Sequence, residues 1–326
     1  MEVFRTLPPP ADRRPCALTI GNFDGVHLGH QAILARLGEL SAVQGLARCV
    51  LTFEPHPREF FASRQGDRAA AARAVPPRVQ PERDKLEALA AHGVDRVCIA
   101  NFNESLASTT ADEFIEHIIL NGLQARELLV GDDFRFGARR TGDYALLAAH
   151  ARSDGFNLHQ ADTVMLDGSR VSSSRVRDAL AAADFAAVER LLGRRYTISG
   201  HVVRGRQLGR ELGFPTLNLR LPFLKPALAG IFVVRVRGII DGMAMPAVAS
   251  LGTRPAVEQD GRYLLEVHLI DYSGDCYGRL VQVEFLQRLR DEAHFPSLEA
   301  LSRQIAIDTD QARAWFTQAD CVTGPT

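Results

Sequence analysis

Thr19-Ile20-Gly21-Asn22-Phe23-Asp24-Gly25-Val26-His27-Leu28-Gly29-His30 decides how the first half of this chain folds. The apolar run from Ala17 to Ile20 reads as a buried strand, and Gln31 to Leu40 reads as an amphipathic helix. The glycine-rich turn therefore joins strand to helix. His27 and His30 stand where that helix begins. A helix start carries free N–H groups and a partial positive charge, so it attracts phosphate. Imidazoles there can donate hydrogen bonds to a phosphate whose negative charge grows during reaction. Gly21, Gly25 and Gly29 would let the backbone approach a nucleotide closely.

The alternation continues outward from this turn. Strands are expected at Ala47–Phe53, Val94–Ala100, Glu127–Val130 and Asn157–Gln160, with helices at 81–92, 111–121 and 142–153. This is the pattern of a Rossmann-like α/β domain with a parallel sheet, whose ligands bind at the carboxyl ends of the strands. Ser63–Pro77 has no clear periodicity and reads as a mobile loop. Val171–Leu192 reads as a turn and one or two short helices. After Gly193 the period changes to two. Strands are expected at Thr197–Val203, Ile231–Val236, Ala247–Leu251, Leu264–Ile270 and Val281–Leu286, which suggests an antiparallel barrel. A helix from Leu298 to Phe316 follows, capped by Ser297, with Leu298, Leu301, Ile305, Ala312 and Trp315 roughly on one face. The expected domains are 1–185 and 186–326.

Composition narrows the class. The 326 residues are 46% hydrophobic and 24% charged, the ordinary balance of a globular protein of about two domains. A net charge of −1 gives no reason to expect nucleic acid or an anionic membrane as partner. Only Lys85 and Lys225 among the 38 basic residues are lysine, which looks like coding bias toward arginine and lowers the weight of arginine clusters. The five cysteines form no Cys-x-x-Cys pair, consistent with reduced thiols and a cytoplasmic location. The start MEVFRTLPPPADRR has no apolar signal core, and no uninterrupted apolar run approaches a bilayer's thickness. No motif specifies an oligomeric state.

Further strings carry chemistry. Pro55-His56-Pro57 follows the second strand, where the prolines are expected to hold His56 in an extended loop. Val130-Gly131-Asp132-Asp133-Phe134-Arg135-Phe136-Gly137 follows another strand. Its acids suit a nucleotide's hydroxyls and amino groups, and its aromatics suit either a planar ring or the core. Val171-Ser172-Ser173-Ser174-Arg175-Val176-Arg177 puts hydroxyls and arginine at a helix start, as a polyphosphate site or a plain cap. In the second half, Gly205, Gly209 and Gly213 precede Pro215-Thr216-Leu217-Asn218. No Gly-Lys-Ser/Thr follows, so this is not a Walker A loop, but such glycines can form a flap around phosphates. Thr216 and Asn218 lie on one side of an extended segment and offer oxygen to Mg²⁺ or phosphate-bound water. Glu266 alternates with Leu265 and Val267, so it points away from that apolar row.

The His-x-Gly-His element resembles the signature of the nucleotidyltransferase superfamily, a device compatible with several acceptors. The longer GNFDGVHLGH resembles the N-terminal motif of the bifunctional bacterial riboflavin kinase/FMN adenylyltransferase (FAD synthetase) family. The Pro-His-Pro loop, the VGDDFRFG string and the VSSSRVR string resemble that family's further elements, with Val171 and Ser174 where it has Ile and Thr. Residues 200–219 resemble its kinase signature, and Gly252-Thr253-Arg254-Pro255 its GTRPT loop, with Ala256 replacing Thr. The resemblance implies a Rossmann-like nucleotidyltransferase domain followed by an antiparallel β-barrel kinase domain with a terminal helix. It implies riboflavin, FMN and ATP as substrates and Mg²⁺ as the ion. His27 and His30 would be catalytic for adenylyl transfer, with Gly21, Asn22, Phe23, Asp24, Gly29, His56, Asp133, Arg135, Ser174 and Arg177 binding its substrates. Glu266 would be the kinase's general base. Gly205, Gly209, Gly213, Pro215, Thr216, Asn218 and Arg290 would bind ATP or riboflavin, with Thr216 and Asn218 on Mg²⁺. The rivals are a riboflavin kinase with a degenerate N-terminal half and a non-catalytic flavin-sensing module.

Overall fold

The computed structural model describes residues 1–64, 75–205, 209, 212–221, 225–252 and 263–323, without the side chains of 319–323. The chain forms two compact units. One comprises Met1–Pro76 and Lys85–Ser173; the other comprises Pro77–Asp84 and Ser174–Thr326.

The first unit is built on a six-stranded sheet of β1 (Glu2–Phe4), β2 (Cys16–Ile20), β3 (Ala47–Glu54), β4 (Arg96–Asn101), β5 (Ala125–Val130) and β6 (Asn157–Gln160). All pairings are parallel, in the order β1-β4-β3-β2-β5-β6. Every residue of β2 is buried, as expected of a parallel strand covered on both faces. One cover packs Leu18, Leu51 and Leu128 against Ile115 and Ile119; the other packs Val50 and Val97 against Phe23, Leu34 and Leu89. Helix α1 (Leu28–Gln44) follows β2 and stops at Gly45, whose φ of 63° makes a left-handed cap. Next come α2 (Pro57–Ser63), α3 (Glu82–Ala91), α4 (Glu104–Ser108), α5 (Ala111–Glu113, continuing as a π-helix over Phe114–Leu120) and α6 (Tyr144–Asp154). From β2 the chain runs outward to β3 and β4, then returns to β5 on the other side. That reversal places the crevice for a ligand at the carboxyl end of β2.

A short hairpin, β7 (Met165–Leu166) and β8 (Ser169–Arg170), precedes α7 (Ser173–Ala181) and α8 (Phe185–Leu192). The second unit is then a closed six-stranded barrel of β9 (Thr197–Val203), β10 (Leu217–Arg220), β11 (Gly230–Arg237), β12 (Met245–Gly252), β13 (Leu264–Leu269) and β14 (Leu280–Arg290). Its order is β10-β13-β12-β11-β14-β9, all antiparallel, and the β9–β10 pairing closes it. Alternate residues, among them Leu265, Val267, Val283 and Phe285, fill the interior. The terminal helix α9 (Leu298–Thr323) lays Ala312 and Trp315 against Ile231, Val233 and Val248.

Several elements depart from the sequence reading. Pro57 opens a helix, a position where a missing N–H costs nothing, so His56 caps α2 instead of lying in an extended loop. β10 is a strand where only an extended segment was expected, and α9 runs past Phe316. Leu298 is 51% exposed and leaves the helix's apolar face. Most of the expected loop 63–77 and the Thr253–Ala256 string lie outside the described residues.

Candidate active sites

The first candidate site lies at the carboxyl end of β2. Gly21 N–H donates to the Leu51 carbonyl at 3.0 Å, which ties the turn to β3. The turn needs left-handed backbone at Phe23, Gly25 and Val26, with φ of 49°, 92° and 40°. Burial of Phe23 and Val26 in the core compensates that strain. Phe23, expected against a nucleotide, instead supports the His30 ring from below, with ring centroids 4.8 Å apart. Asp24 is buried in the same turn.

His27 is the N-cap of α1, and its Nδ1 accepts from the His30 N–H at 3.4 Å. The two imidazoles stack at 3.7 Å with 17° between their planes. Gly29 makes room for this pair, since a Cβ there would lie 3.2 Å from the His27 ring. Burial, then the neighbouring His27 and Lys85 charges, hold the His30 pKa well below the ordinary imidazole value. His30 Nδ1 and Asn22 Oδ1 are buried without a protein partner. A turn that presents a helix start and stacked imidazoles is suited to an anion, and the orphaned Asn22 oxygen to a donor beside it.

The other expected strings reach the same sheet edge, with the structure dividing their roles. His56, after β3, is buried and accepts from the Arg58 N–H at 3.1 Å in a capping box with Glu59. After β5, Phe136 is in the core and Phe134 stacks on it at 5.3 Å, so the aromatics pack inward. Asp133 is largely exposed, with Arg170 3.4 Å away, and Arg135 donates to the Phe134 carbonyl at 3.0 Å. The VSSSR string meets the first turn directly: Ser173 Oγ donates to the Asp24 carbonyl at 2.9 Å. Ser174 and Arg177 follow on α7 in the second compact unit, where Arg177 Nε donates to the Pro77 carbonyl at 2.6 Å.

Sequence reasoning missed Lys85. Its side chain is buried, with Nζ 3.3 Å from Thr52 Oγ1 and 3.5 Å from the Asn22 carbonyl. The signal was compositional: Lys85 is one of only two lysines among 38 basic residues.

The second candidate site is on the barrel. Glu266 of β13 stands directly across from Asn218 of β10 and, on its other side, from Ser250 of β12. Cross-strand partners share a face, so the Glu266 carboxylate and the Asn218 amide point the same way. Asn218 is buried; its Nδ2 donates to the Thr216 carbonyl at 3.2 Å, while its Oδ1 has no partner. Gly205 packs flat on it, because a Cβ there would lie 2.5 Å from Asn218 Oδ1. At Gly209 a Cβ would meet the Phe214 carbonyl at 2.4 Å and Thr216 Oγ1 at 3.4 Å. The Phe214 N–H closes this loop onto the Gly209 carbonyl at 2.7 Å. Gly205, Gly209, Thr216, Asn218 and Glu266 are thus brought together. A cleft of about 410 Å³ opens beside them, bounded by Gly213, Pro215, His268 and Arg313. Arg290 holds α9: it pairs bidentately with the buried Asp308 at 2.9 and 2.7 Å. Among the described residues no cluster of His, Cys, Asp and Glu could hold a metal ion, and no helix is long and apolar enough to cross a membrane.

Comparisons with known proteins match both halves of the chain. The FAD synthetase family matches residues 10–175, and the riboflavin kinase family matches residues 192–316. A bifunctional riboflavin kinase/FMN adenylyltransferase of Pseudomonas fluorescens is 48% identical over 93% of this chain and 94% of its own length. The Escherichia coli K12 protein of that name is 43% identical, with 94% of each covered. A solved structure titled a macrolide-efflux protein from Streptococcus pneumoniae superposes with a TM-score of 0.72 at 26% identity, over 96% of this chain and 98% of that one. Two domain matches in this order, with relatives aligned nearly end to end, place the chain in the bifunctional riboflavin kinase/FMN adenylyltransferase family.

Proposed function

We propose that the two activities of this bifunctional enzyme reside at the two sites just described, with the barrel making FMN and the α/β unit consuming it. The chain phosphorylates riboflavin to FMN with ATP and adenylylates FMN to FAD with release of pyrophosphate. The observation that carries the placement of the kinase is Glu266 facing Asn218 across β13 and β10, beside a cleft of the volume that small-molecule sites use.

In the kinase, riboflavin's terminal ribityl oxygen attacks the γ-phosphorus of ATP, the bond to ADP breaks, and the hydroxyl proton passes to Glu266. Gly205 and Gly209 let the chain close on Asn218 and Thr216, and Gly213 and Pro215 continue that wall. Arg290 contributes by fixing α9. The residues fit a magnesium ion, since Asn218 offers a buried Oδ1 that no protein group takes up and Gly205 leaves space beside it. Thr216 and Asn218 would hold the ion, which when bound neutralises phosphate charge.

In adenylyl transfer the FMN phosphate oxygen attacks the α-phosphorus of ATP and pyrophosphate leaves, so no protein nucleophile is needed. The start of α1 receives the phosphates, and His27 and His30 donate to the oxygens that gain charge. Gly21, Asn22, Asp24 and Gly29 shape the cradle, with Phe23 beneath His30. His56, Asp133 and Arg135 add substrate contacts within the first unit, and the family resemblance adds Ser174 and Arg177 as ATP ligands. We assign this activity to residues 1–185 and the kinase to 186–326, and place the enzyme in the cytoplasm.

Incubating the protein with riboflavin and Mg-ATP, then separating flavins by chromatography, tests the reading. FMN should appear first and FAD after it. A riboflavin kinase with a silent first unit would stop at FMN, and a flavin-sensing module would yield neither.

A further inference from the structure

Lys85 is 3% exposed in the first unit. Burying an ammonium removes its hydration, and an apolar side chain of similar length would fill the space at lower cost. Its position gives that burial a use. Nζ is received by the Asn22 carbonyl at 3.5 Å and by Thr52 Oγ1 at 3.3 Å. Thr52 Oγ1 also lies 3.3 Å from the Asn22 carbonyl. The cation therefore locks the end of β3 to the GNFDG turn from behind. Asn22, held through its backbone, carries a buried Oδ1 with no protein partner, and His30 carries a buried Nδ1 in the same condition. Both are groups that a bound substrate would complete. Arginine cannot substitute simply, because its planar fork is wider and its charge is spread over several nitrogens.

We propose that Lys85 is the fixed cation of the adenylyl-transfer site, a positioning residue that holds the turn through Asn22 and Thr52 and sets a positive charge behind the reacting phosphates. The inference rests on placing adenylyl transfer at His27 and His30. The charge attracts the anionic substrates whatever the protonation of the histidines. Burial first, then the charge of His27, the other titratable group bearing on that ring, and then that of Lys85 oppose protonation of His30. Lys85 thus adds to what favours a neutral imidazole there, with one nitrogen to donate and one to accept.

The test compares Lys85→Met with His30→Ala and the unsubstituted protein. FAD formation from FMN and Mg-ATP is measured across pH, His30 is titrated by NMR of its imidazole, and FMN formation from riboflavin serves as the control. In Lys85→Met, FAD formation should fall about 10²-fold, the His30 titration should move upward, and FMN formation should be unchanged. An unmoved His30 titration would overturn the inference, as would FAD formation at the unsubstituted rate. If Lys85→Met disrupts the first unit, Lys85→Gln, which keeps a polar donor without the charge, gives the same two readouts. Full FAD formation in His30→Ala would instead refute the placement of the chemistry at this turn.

Discussion

Substituting Gly205 by alanine tests the kinase geometry through a single methyl group. The added Cβ would lie 2.5 Å from Asn218 Oδ1 and 2.6 Å from Cγ and Nδ2. Comfortable separation requires about 3.5 Å, so the amide or the glycine segment must give by about 1 Å. Asn218 has little room to yield: it is buried, its Nδ2 is engaged by the Thr216 carbonyl, and its strand is paired on both sides. Displacement by about 1 Å of a group that positions a reacting phosphate can cost about 10²-fold in rate. The accompanying overpacking should cost about 1–3 kcal/mol in the second unit. FMN formation should therefore fall about 10²-fold while conversion of supplied FMN to FAD continues, in a variant whose unfolding remains cooperative. Kinase turnover within about threefold of the unsubstituted enzyme, far inside that range, would refute the claim that Asn218 must sit where Gly205 allows it.

Other outcomes follow from the packing and the charges. Asp308→Ala removes the buried partner of Arg290 and should lower stability by about 2–3 kcal/mol, less than a fully buried pair because the Arg290 side chain keeps 23% exposure; thermal unfolding of the second unit reads it. Burial pushes the Cys98 thiol up to about 12, and a hydrogen bond that the Cys49 thiol donates to Cys16, then burial, raises Cys49; an exposed-thiol reagent should spare these thiols and the equally buried Cys16 until the protein unfolds. His30 is held below its ordinary value of 6.5, so the unfolded chain takes its proton first as pH falls. Its contribution to stability is flat above about pH 6.5 and declines below it, and His30→Ala should shallow that acid limb in denaturant titrations.

Periodicity carried most of the fold, and its failures have physical causes. β1 is a three-residue edge strand, too short to show alternation. β10 has only four residues, and its pairing with β9 and β13 is a long-range fact. The segment Pro77–Asp84 reads as the approach to a helix of the first half, yet it belongs to the barrel's compact unit. There Tyr196 Oη donates to the Val79 carbonyl at 2.7 Å, and the Ser199 N–H donates to Asp84 at 3.0 Å. Within the sites, glycine spacing and the histidine pair were legible because turn and helix-start chemistry is local. Phe23, Phe134 and Phe136 were not, since an aromatic beside a ligand loop has the same composition whether it faces the ligand or the core. Lys85 was hidden for a related reason: burial of one lysine on a charged helix leaves no periodic trace.

The central claim is that one chain runs two reactions with two separate sets of side chains. The most direct measurement follows FMN and FAD together, from riboflavin and Mg-ATP, in the His27→Ala/His30→Ala double variant and in Glu266→Gln. Loss of oxyanion-type donors should depress FAD formation by at least about 10²-fold, so the double variant should accumulate FMN. Loss of the general base should cost about 10²–10⁴-fold in FMN formation, so Glu266→Gln should leave riboflavin untouched yet convert supplied FMN to FAD. Both variants losing both activities while folded, or either keeping the step assigned to it, would contradict the account.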